Sequence, residues 1–129
     1  MADMKIGIIG AGGRMGQACI RQVTDTDGCK VVAASDVAGT DLIGRDAGEA
    51  AGAGTLGIAV TDNAAAVVAA SDAVIEFTLP GPTIDHVALT AEAGVGHIIG
   101  TTGMEAAQEE ALKAAGEKTV IMHAPNMLS

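Results

Sequence analysis

The chain has 129 residues, and its 7 basic and 16 acidic side chains give a net charge of −9 at pH 7. This charge argues against nucleic-acid binding, because the chain offers no basic surface to neutralise phosphates. Hydrophobic residues make up 49% of a length that suits one ordinary domain, and the core must be aliphatic because Phe77 is the sole aromatic residue.

Short apolar runs alternate with helical stretches along the chain. Strands are predicted over residues 5–9, 30–35, 57–60, 73–77, 96–99 and 119–123. Helices are predicted over residues 14–24, 62–70 with Asp62 as N-cap, 83–93 and 104–115, and a short helix over 41–47 inside a glycine-rich loop. The alternation predicts one α/β domain over residues 1–129, a Rossmann-like doubly wound parallel sheet with helices on both faces.

A glycine pattern joins the first predicted strand to the first helix. Gly10, Gly13 and Gly16 allow a tight turn and let a pyrophosphate lie against the backbone at the helix N-terminus. Arg14 adds a candidate phosphate contact. In a glycine-rich chain the same pattern is also compatible with a simple turn, but its position between strand and helix favours nucleotide binding.

An acidic residue follows the second predicted strand at the distance expected for a dinucleotide site. Asp36 lies twenty positions after Gly16, where a carboxylate accepts hydrogen bonds from the adenosine ribose hydroxyls. The carboxylate repels a 2′-phosphate, and neither Val37 nor Ala38 supplies a compensating positive charge. Arg45 is the one nearby cation that could reach back. We therefore expect NADH to be preferred and NADPH to remain possible.

Several segments together resemble the 4-hydroxy-tetrahydrodipicolinate reductase family, also called dihydrodipicolinate reductase. The resemblance covers essentially the whole chain. The segments are Gly-Ala-Gly-Gly-Arg-Met-Gly at 10–16, Gly-Arg-Asp-Ala-Gly at 44–48, Glu-Phe-Thr at 76–78, Gly-Thr-Thr-Gly at 100–103 and Ala-Pro-Asn-Met at 124–127. It implies reduction of a cyclic dicarboxylate precursor in the diaminopimelate and lysine pathway, with hydride from NADH or NADPH.

The resemblance also implies roles for individual residues. The pyrophosphate loop corresponds to Gly10, Ala11, Gly12, Gly13, Arg14 and Met15, and the ribose ligand to Asp36. The segments near the nicotinamide correspond to Gly100, Thr101 and Thr102 and to Ala124, Pro125, Asn126 and Met127. Some family members carry Arg directly after the ribose acid, so the Val37 of this chain agrees with a preference for NADH.

The topology of the predicted sheet adds Phe77 and Thr78 to the candidate cofactor-binding residues, because they follow a strand beside the glycine loop.

The family pattern continues beyond Ser129 with a substrate domain. That domain carries a His-His-x-x-Lys motif for proton donation and dicarboxylate binding, and it builds a homotetramer. We therefore expect residues 124–129 to begin a hinge and the catalytic residues to lie outside this chain. We also expect this chain to bind cofactor with little turnover of substrate and to form a monomer or weak dimer. A stand-alone NAD(H)-sensing module is the alternative.

The start of the sequence shows no signal peptide and no apolar run spans a membrane, so we expect a cytoplasmic protein.

The remaining polar candidates are interpreted as structural. His86, His97 and His123 lack compact ligand spacing, so no metal site is predicted, although His123 should end near the cofactor edge. Glu76 could act as a general base, but a carboxylate bonded to a nearby backbone amide is the favoured interpretation. The lack of Tyr excludes the Tyr-x-x-x-Lys chemistry of short-chain dehydrogenases.

Overall fold

A five-stranded parallel sheet forms the centre of the computed structural model, which describes residues 3–123. Its strands are β1 (Met4–Ile9), β2 (Cys29–Ser35), β3 (Ala73–Glu76), β4 (Gly96–Ile99) and β5 (Ile121–His123). Their spatial order is β2-β1-β3-β4-β5, and every neighbouring pair is parallel. The strand order therefore reverses at β1, which has β2 on one side and β3 on the other.

Helices cover both faces of this sheet, as predicted. They are α1 (Arg14–Thr24), α2 (Ala47–Ala51), α3 (Ala64–Ala70), α4 (Pro80–Ala93) and α5 (Ala106–Ala115). Alternate residues of β1 point to opposite faces. Ile6 and Ile8 pack in a cluster with Ile20 of α1, whereas Ile9 packs with Val67 of α3 on the other face. The last two helices pack on the α3 side, where Val87 of α4 meets Leu112 of α5. The doubly wound architecture is thus confirmed.

The predicted strand over 57–60 is wrong. Within this segment Ala59 makes one isolated antiparallel bridge with Asp46, and Thr61, just after it, makes an isolated parallel bridge with Ser35. The carboxylate of Asp46 accepts the backbone N–H groups of Gly57 at 2.7 Å and Ile58 at 2.9 Å, so these donors are not available to a neighbouring strand. β2 is therefore the outer strand on this side, with Thr61 bonded only at its carboxyl end.

Four helix starts also differ from expectation: α5 begins at Ala106 rather than at residue 104, and the other three have a visible cause. The short helix begins after Asp46, whose carboxylate caps it through the Glu49 amide, rather than running over 41–47. Asn63 instead of Asp62 caps α3, because its side-chain oxygen accepts the Ala66 amide at 3.1 Å. α4 begins at Pro80 rather than at residue 83, since the first turn of a helix needs no backbone amide donor and so accepts proline. None of the helices within residues 3–123 has the length and apolar character needed to cross a membrane.

Candidate functional site

A cleft of about 350 Å³ opens at the carboxyl edge of the sheet, where the strand order reverses. The connections that leave β1 and β3 run to opposite faces, so the loops after these two strands separate and leave a crevice between them. Residues from both loops, from the end of β2 and from α4 line the cleft, among them Gly10, Gly13, Asp36, Phe77, Thr78 and His86. The fold thus gathers at one edge residues that lie far apart in the sequence.

The glycine loop after β1 is shaped by close backbone packing. Gly10 has a φ of 94°, and a Cβ there would collide with the backbone carbonyl of Phe77. Gly16 lies in the first turn of α1, where a Cβ would collide with the carbonyl of Gly10. In contrast, a Cβ at Gly13 would find its nearest heavy atom 3.7 Å away. The outer two glycines therefore shape the turn, and the space over Gly13 stays open towards the cleft.

The N-terminus of α1 faces this loop without a side-chain cap. Gly13 is the N-cap residue and makes no side-chain hydrogen bond, and the first turn contains no acidic residue. The first amides of a helix lack intrahelical partners and carry the positive end of the helix dipole. Together with the open space at Gly13, the arrangement suits an anionic phosphate group. Arg14 is exposed at the same helix end.

The carboxylate of Asp36 joins the end of β2 to the glycine loop. One oxygen accepts the Gly12 amide at 2.6 Å and the other accepts the Val37 amide at 2.7 Å. Each carboxylate oxygen has a second acceptor site, and Asp36 lines the cleft. The following side chain, Val37, is exposed and apolar. This corner of the cleft can therefore accept hydroxyl donors and offers no adjacent cation for a phosphate.

A buried carboxylate lies on the other side of the switch point. Glu76 ends β3, is fully buried, and binds two imidazoles: His97 Nε2 lies 2.8 Å from Oε1 and His86 Nδ1 lies 2.6 Å from Oε2. Thr78 donates to Oε2 at 2.5 Å. Burial acts to raise the pKa of Glu76, but the hydrogen bonds from the two histidines and Thr78 outweigh it and hold the pKa at about 2. The group is therefore ionised at neutral pH.

This environment corrects the interpretation of Glu76 as a carboxylate bonded to a backbone amide. Its partners are side chains, because a buried charge requires several strong donors and the strand ladder already uses the neighbouring amides. A role as general base is also disfavoured, since the carboxylate is inaccessible and a pKa of about 2 makes it a weak proton acceptor.

Two loops on this side are joined by threonine hydroxyls. The Thr78 amide donates to Thr101 Oγ1 at 3.1 Å, and Thr101 Oγ1 lies 2.8 Å from Thr83 Oγ1. Phe77 and Gly100 form a second contact between the loops, because a Cβ at Gly100 would collide with the phenyl ring. The segments 77–78 and 100–101 therefore behave as one packed unit.

The structure places the predicted site residues in three groups. Gly10, Gly13, Asp36, Phe77 and Thr78 line the cleft itself. The second group neighbours these residues in the sequence without lining the cleft. Of this group, Gly12, Arg14 and Thr102 are exposed, Met15 is half-buried, and Ala11, Gly100 and Thr101 are buried. Ala124, Pro125, Asn126 and Met127 lie outside the described residues.

Sequence reasoning missed the part that His86 plays at this edge. Its side chain is 17% exposed and lines the cleft while Nδ1 binds Glu76. The spacing of Thr83, His86 and Thr90 along α4 is the signal that could have found it, because residues three or four apart share one helix face. His97, interpreted as structural, is buried between Glu76 and Thr90. His123 lies with Nε2 3.0 Å from the Thr101 carbonyl oxygen.

Residues 3–123 contain no group of three or more His, Cys, Asp or Glu side chains arranged to hold a metal ion. The carboxylate of Glu76 and its two histidines are instead joined directly by hydrogen bonds. The polar groups at this edge therefore satisfy one another and do not converge on a common point.

The reversed strand order, the glycine loop at the helix N-terminus and the acidic residue that follows β2 define a Rossmann-like nucleotide-binding domain. Comparison with known families then assigns the chain more closely. The family described as "Dihydrodipicolinate reductase, N-terminus" matches residues 4–127, and the chain belongs to this family of oxidoreductases.

Curated relatives agree with this assignment. The chain is 50% identical over 124 residues to the 4-hydroxy-tetrahydrodipicolinate reductase of Halorhodospira halophila, covering 96% of this chain and 46% of the relative. It is 50% identical over 120 residues to the enzyme of the same name from Ruegeria pomeroyi, covering 93% of this chain and 45% of the relative. The chain thus spans about half the length of the curated relatives it matches.

Solved structures share the fold at low sequence identity. The dipicolinate-bound dihydrodipicolinate reductase from Paenisporosarcina sp. TG-14 superposes with a TM-score of 0.75 at 21% identity, over 97% of this chain and 48% of that one. GenD2 from gentamicin A biosynthesis, solved in complex with NAD, gives a TM-score of 0.75 at 17% identity, over 99% of this chain and 36% of that one. These likenesses confirm the Rossmann-like architecture.

Proposed function

We propose that the chain is the cofactor-binding half of an NAD(P)H-dependent reductase that converts 4-hydroxy-tetrahydrodipicolinate to tetrahydrodipicolinate in diaminopimelate and lysine biosynthesis. One observation carries the proposal. The cleft at the switch point places the glycine loop and Asp36 on one side of β1 and Phe77 and Thr78 on the other. A nicotinamide dinucleotide bound across a switch point needs recognition groups on both sides.

The residues of the cleft fit the two halves and the centre of such a cofactor. The amides at Gly13 and the start of α1 bind the pyrophosphate, and Arg14 adds a positive charge. The free acceptor sites of Asp36 take the adenosine ribose hydroxyls. Phe77, Thr78 and the segment 100–102 lie beside the nicotinamide half. The family resemblance assigns residues 124–127, which are outside the described residues, to the same half of the site. When bound, NADH supplies the hydride from C4 of its nicotinamide ring.

NADH is the preferred cofactor in this proposal. Asp36 repels a 2′-phosphate, and Val37, the next residue, is exposed but uncharged. The Arg45 side chain is exposed too, so it is the residue that can moderate this preference and leave weaker NADPH binding.

The substrate-binding and proton-donating groups belong, we infer, to a part of the full-length enzyme outside these 129 residues. The side chains in the described cleft support this division: His86 is bound to Glu76, and Glu76 is buried with a pKa of about 2. The chain alone should therefore bind cofactor with little or no turnover of the cyclic dicarboxylate. We infer a monomer or weak dimer for this chain, a homotetramer for the full-length enzyme, and a cytoplasmic location.

Calorimetric titration of the chain with NADH and, separately, NADPH tests the proposal. Saturable binding that is tighter for NADH supports it, and Asp36→Asn provides a nearly isosteric control that should lose part of that preference. A folded chain that binds neither dinucleotide would refute the proposal. If NADH binds, a steady-state assay with 4-hydroxy-tetrahydrodipicolinate follows, and turnover on the order of 10 per second would contradict the inferred location of the catalytic groups.

The same two measurements, made on a protein extended to the length of the relatives, test the alternative of an NAD(H)-sensing module. Such a module binds the dinucleotide but reduces no substrate, with or without a further domain. Turnover that appears when the chain is extended to the length of its relatives would favour the reductase. Tight NADH binding without turnover in the extended protein would favour the sensor.

A further inference from the structure

A buried polar network centred on Glu76 underlies one half of the cleft. The carboxylate is fully buried and binds the side chains of Thr78, Thr83, His86 and His97. Burying a charge costs free energy even when the charge is well paired, and an apolar residue of similar size would often give equal or greater stability. Stability alone therefore does not explain why this site holds a charged network. The segments that its hydrogen bonds hold in place offer another explanation.

The hydrogen bonds of the network run in one direction. An ionised carboxylate only accepts, so Thr83 donates its hydroxyl proton to Glu76 Oε2 at 3.1 Å. Thr83 can then only accept from Thr101, which lies at 2.8 Å, and Thr101 in turn accepts the Thr78 amide at 3.1 Å. The hydroxyls of Thr83 and Thr101 each donate once and accept once. The chain of bonds thus leads from the backbone after β3, through the loop after β4, to a single buried charge.

The two loops tied by this chain lie on a defined side of the cleft. Asp36 follows β2 and receives the adenosine ribose in the proposed function, and the glycine loop lies at the switch point. The remaining half of a dinucleotide extends across the ends of the strands on the opposite side of β1, which are β3 and β4. Thr78 and Thr101 are each the second residue after the end of one of these strands.

We propose that Glu76 is a positioning residue for the nicotinamide half of the site, acting through Thr83 and Thr101 to hold the segments 77–78 and 100–101 in their binding arrangement before the cofactor arrives. The inference rests on the proposed function. Thr101 is 2% exposed, so its side chain serves this arrangement from within the protein. The buried carboxylate stabilises the loops through hydrogen bonds inside the protein and makes no contact with the cofactor.

A matched pair of substitutions on α4 separates positioning from stability. Thr83 and Thr90 are both fully buried; Thr83 bonds to Glu76 directly, and Thr90 is linked to it through His97. Thr83 connects the carboxylate to the two loops, whereas Thr90 bonds to Nδ1 of His97 at 2.8 Å, on the side of the network away from them. Thr83→Val and Thr90→Val each remove one buried hydroxyl and keep the β-branched shape.

The experiment measures the affinity of each variant for NADH and for ADP, which lacks the entire nicotinamide half. Thr83→Val should weaken NADH binding about fivefold, as expected from one lost buried hydrogen bond, and leave ADP binding within about twofold of wild type. Thr83→Ser should restore NADH affinity because it keeps the hydroxyl, and Thr90→Val should retain it. Thermal unfolding of every variant confirms that the protein is folded at the temperature of the titration.

Other outcomes would overturn the inference. Equal weakening of NADH and ADP by Thr83→Val, or no weakening of either, would show that the hydroxyl has no specific part in placing the nicotinamide half. A selective loss of NADH affinity in Thr90→Val as large as in Thr83→Val would also show that the Thr83 hydroxyl has no specific part. Equal wild-type affinity for NADH and ADP would mean that the chain has no nicotinamide subsite to position. If wild type binds neither ligand, the proposed function itself fails.

Discussion

The amide of Gly12 donates a 2.6 Å hydrogen bond to the carboxylate of Asp36. This bond joins the loop after β1 to the residue that follows β2, so the glycine loop and Asp36 share one rigid corner of the cleft. A Cβ at residue 12 would collide with the same carboxylate. The glycine and the acid therefore depend on each other, and the effect of changing one includes the displacement of the other.

Cofactor preference should follow the charge at the end of β2. Replacing Asp36→Ala together with Val37→Arg removes the repulsion and supplies a cation, so the ratio of NADPH to NADH affinity should rise by at least about tenfold. Titration of both cofactors against wild type and the double variant measures this ratio. Val37→Arg alone is the control and should raise the ratio less. An unchanged ratio in the double variant would show that Asp36 does not contact the ribose.

The turn at Gly10 should tolerate no side chain. Gly10→Ala must adopt a φ of 94° and also meets the Phe77 carbonyl. Gly39→Ala is a matched control, because Gly39 has a φ of 88° but a Cβ at this position would have no heavy atom within 4 Å. The control should lose about 1–2 kcal/mol of unfolding free energy from backbone strain, and Gly10→Ala about 1–3 kcal/mol more from overpacking. Urea denaturation compares the two, and equal losses would contradict the role of the carbonyl contact.

Acid should destabilise the protein partly through Glu76. Its pKa is lowered from an ordinary 4.5 to about 2 in the folded protein, so its stabilising contribution is complete above about pH 4.5 and is lost as the pH falls towards about 2. Glu76→Gln removes this contribution at every pH. Denaturation at pH 7 and at pH 3 should therefore show a smaller difference in stability for the variant than for wild type. An identical difference would mean that Glu76 is not ionised in the folded state.

The loop between α2 and α3 should depend on Asp46. Its carboxylate accepts the amides of Glu49, Leu56, Gly57 and Ile58, and these bonds hold its pKa at about 2. Asp46→Asn leaves one side-chain oxygen to serve four donors, so the amides of residues 56–58 should exchange with solvent about fivefold faster. Hydrogen-exchange NMR at neutral pH measures these rates. The amides of β1 provide the internal reference and should keep their protection.

Much of the fold could be predicted because its signals are local. The apolar run of β1, the glycines after it and the helical periodicity of α1 lie next to one another in the sequence, and the structure has β1 and α1 where the pattern indicates. The segment 57–60 could not be predicted correctly, because Asp46 captures its amides from more than ten residues away. Local strand propensity carries no information about such a competitor.

The candidate site divides in the same way. The glycine loop and Asp36 follow a spacing that is readable along the chain, and the structure brings them into contact. The network around Glu76 depends on His86 and His97, which are 10 and 21 residues away from it. Only the packing of α4 against β3 and β4 brings these groups together, so each histidine viewed alone suggested no partner.

The position of Thr61 beside β2 has a consequence for how the molecule meets its neighbours in solution. An outer strand presents unpaired backbone groups that can template association with another chain. Next to the carboxyl end of β2, Thr61 donates its amide to the Ala34 carbonyl at 3.0 Å, and the Asp36 amide donates to the Thr61 carbonyl at 3.0 Å. Nearer its start, β2 carries the exposed, charged Lys30. One end of this edge is thus capped by backbone and the other carries a cation, which disfavours strand-to-strand aggregation.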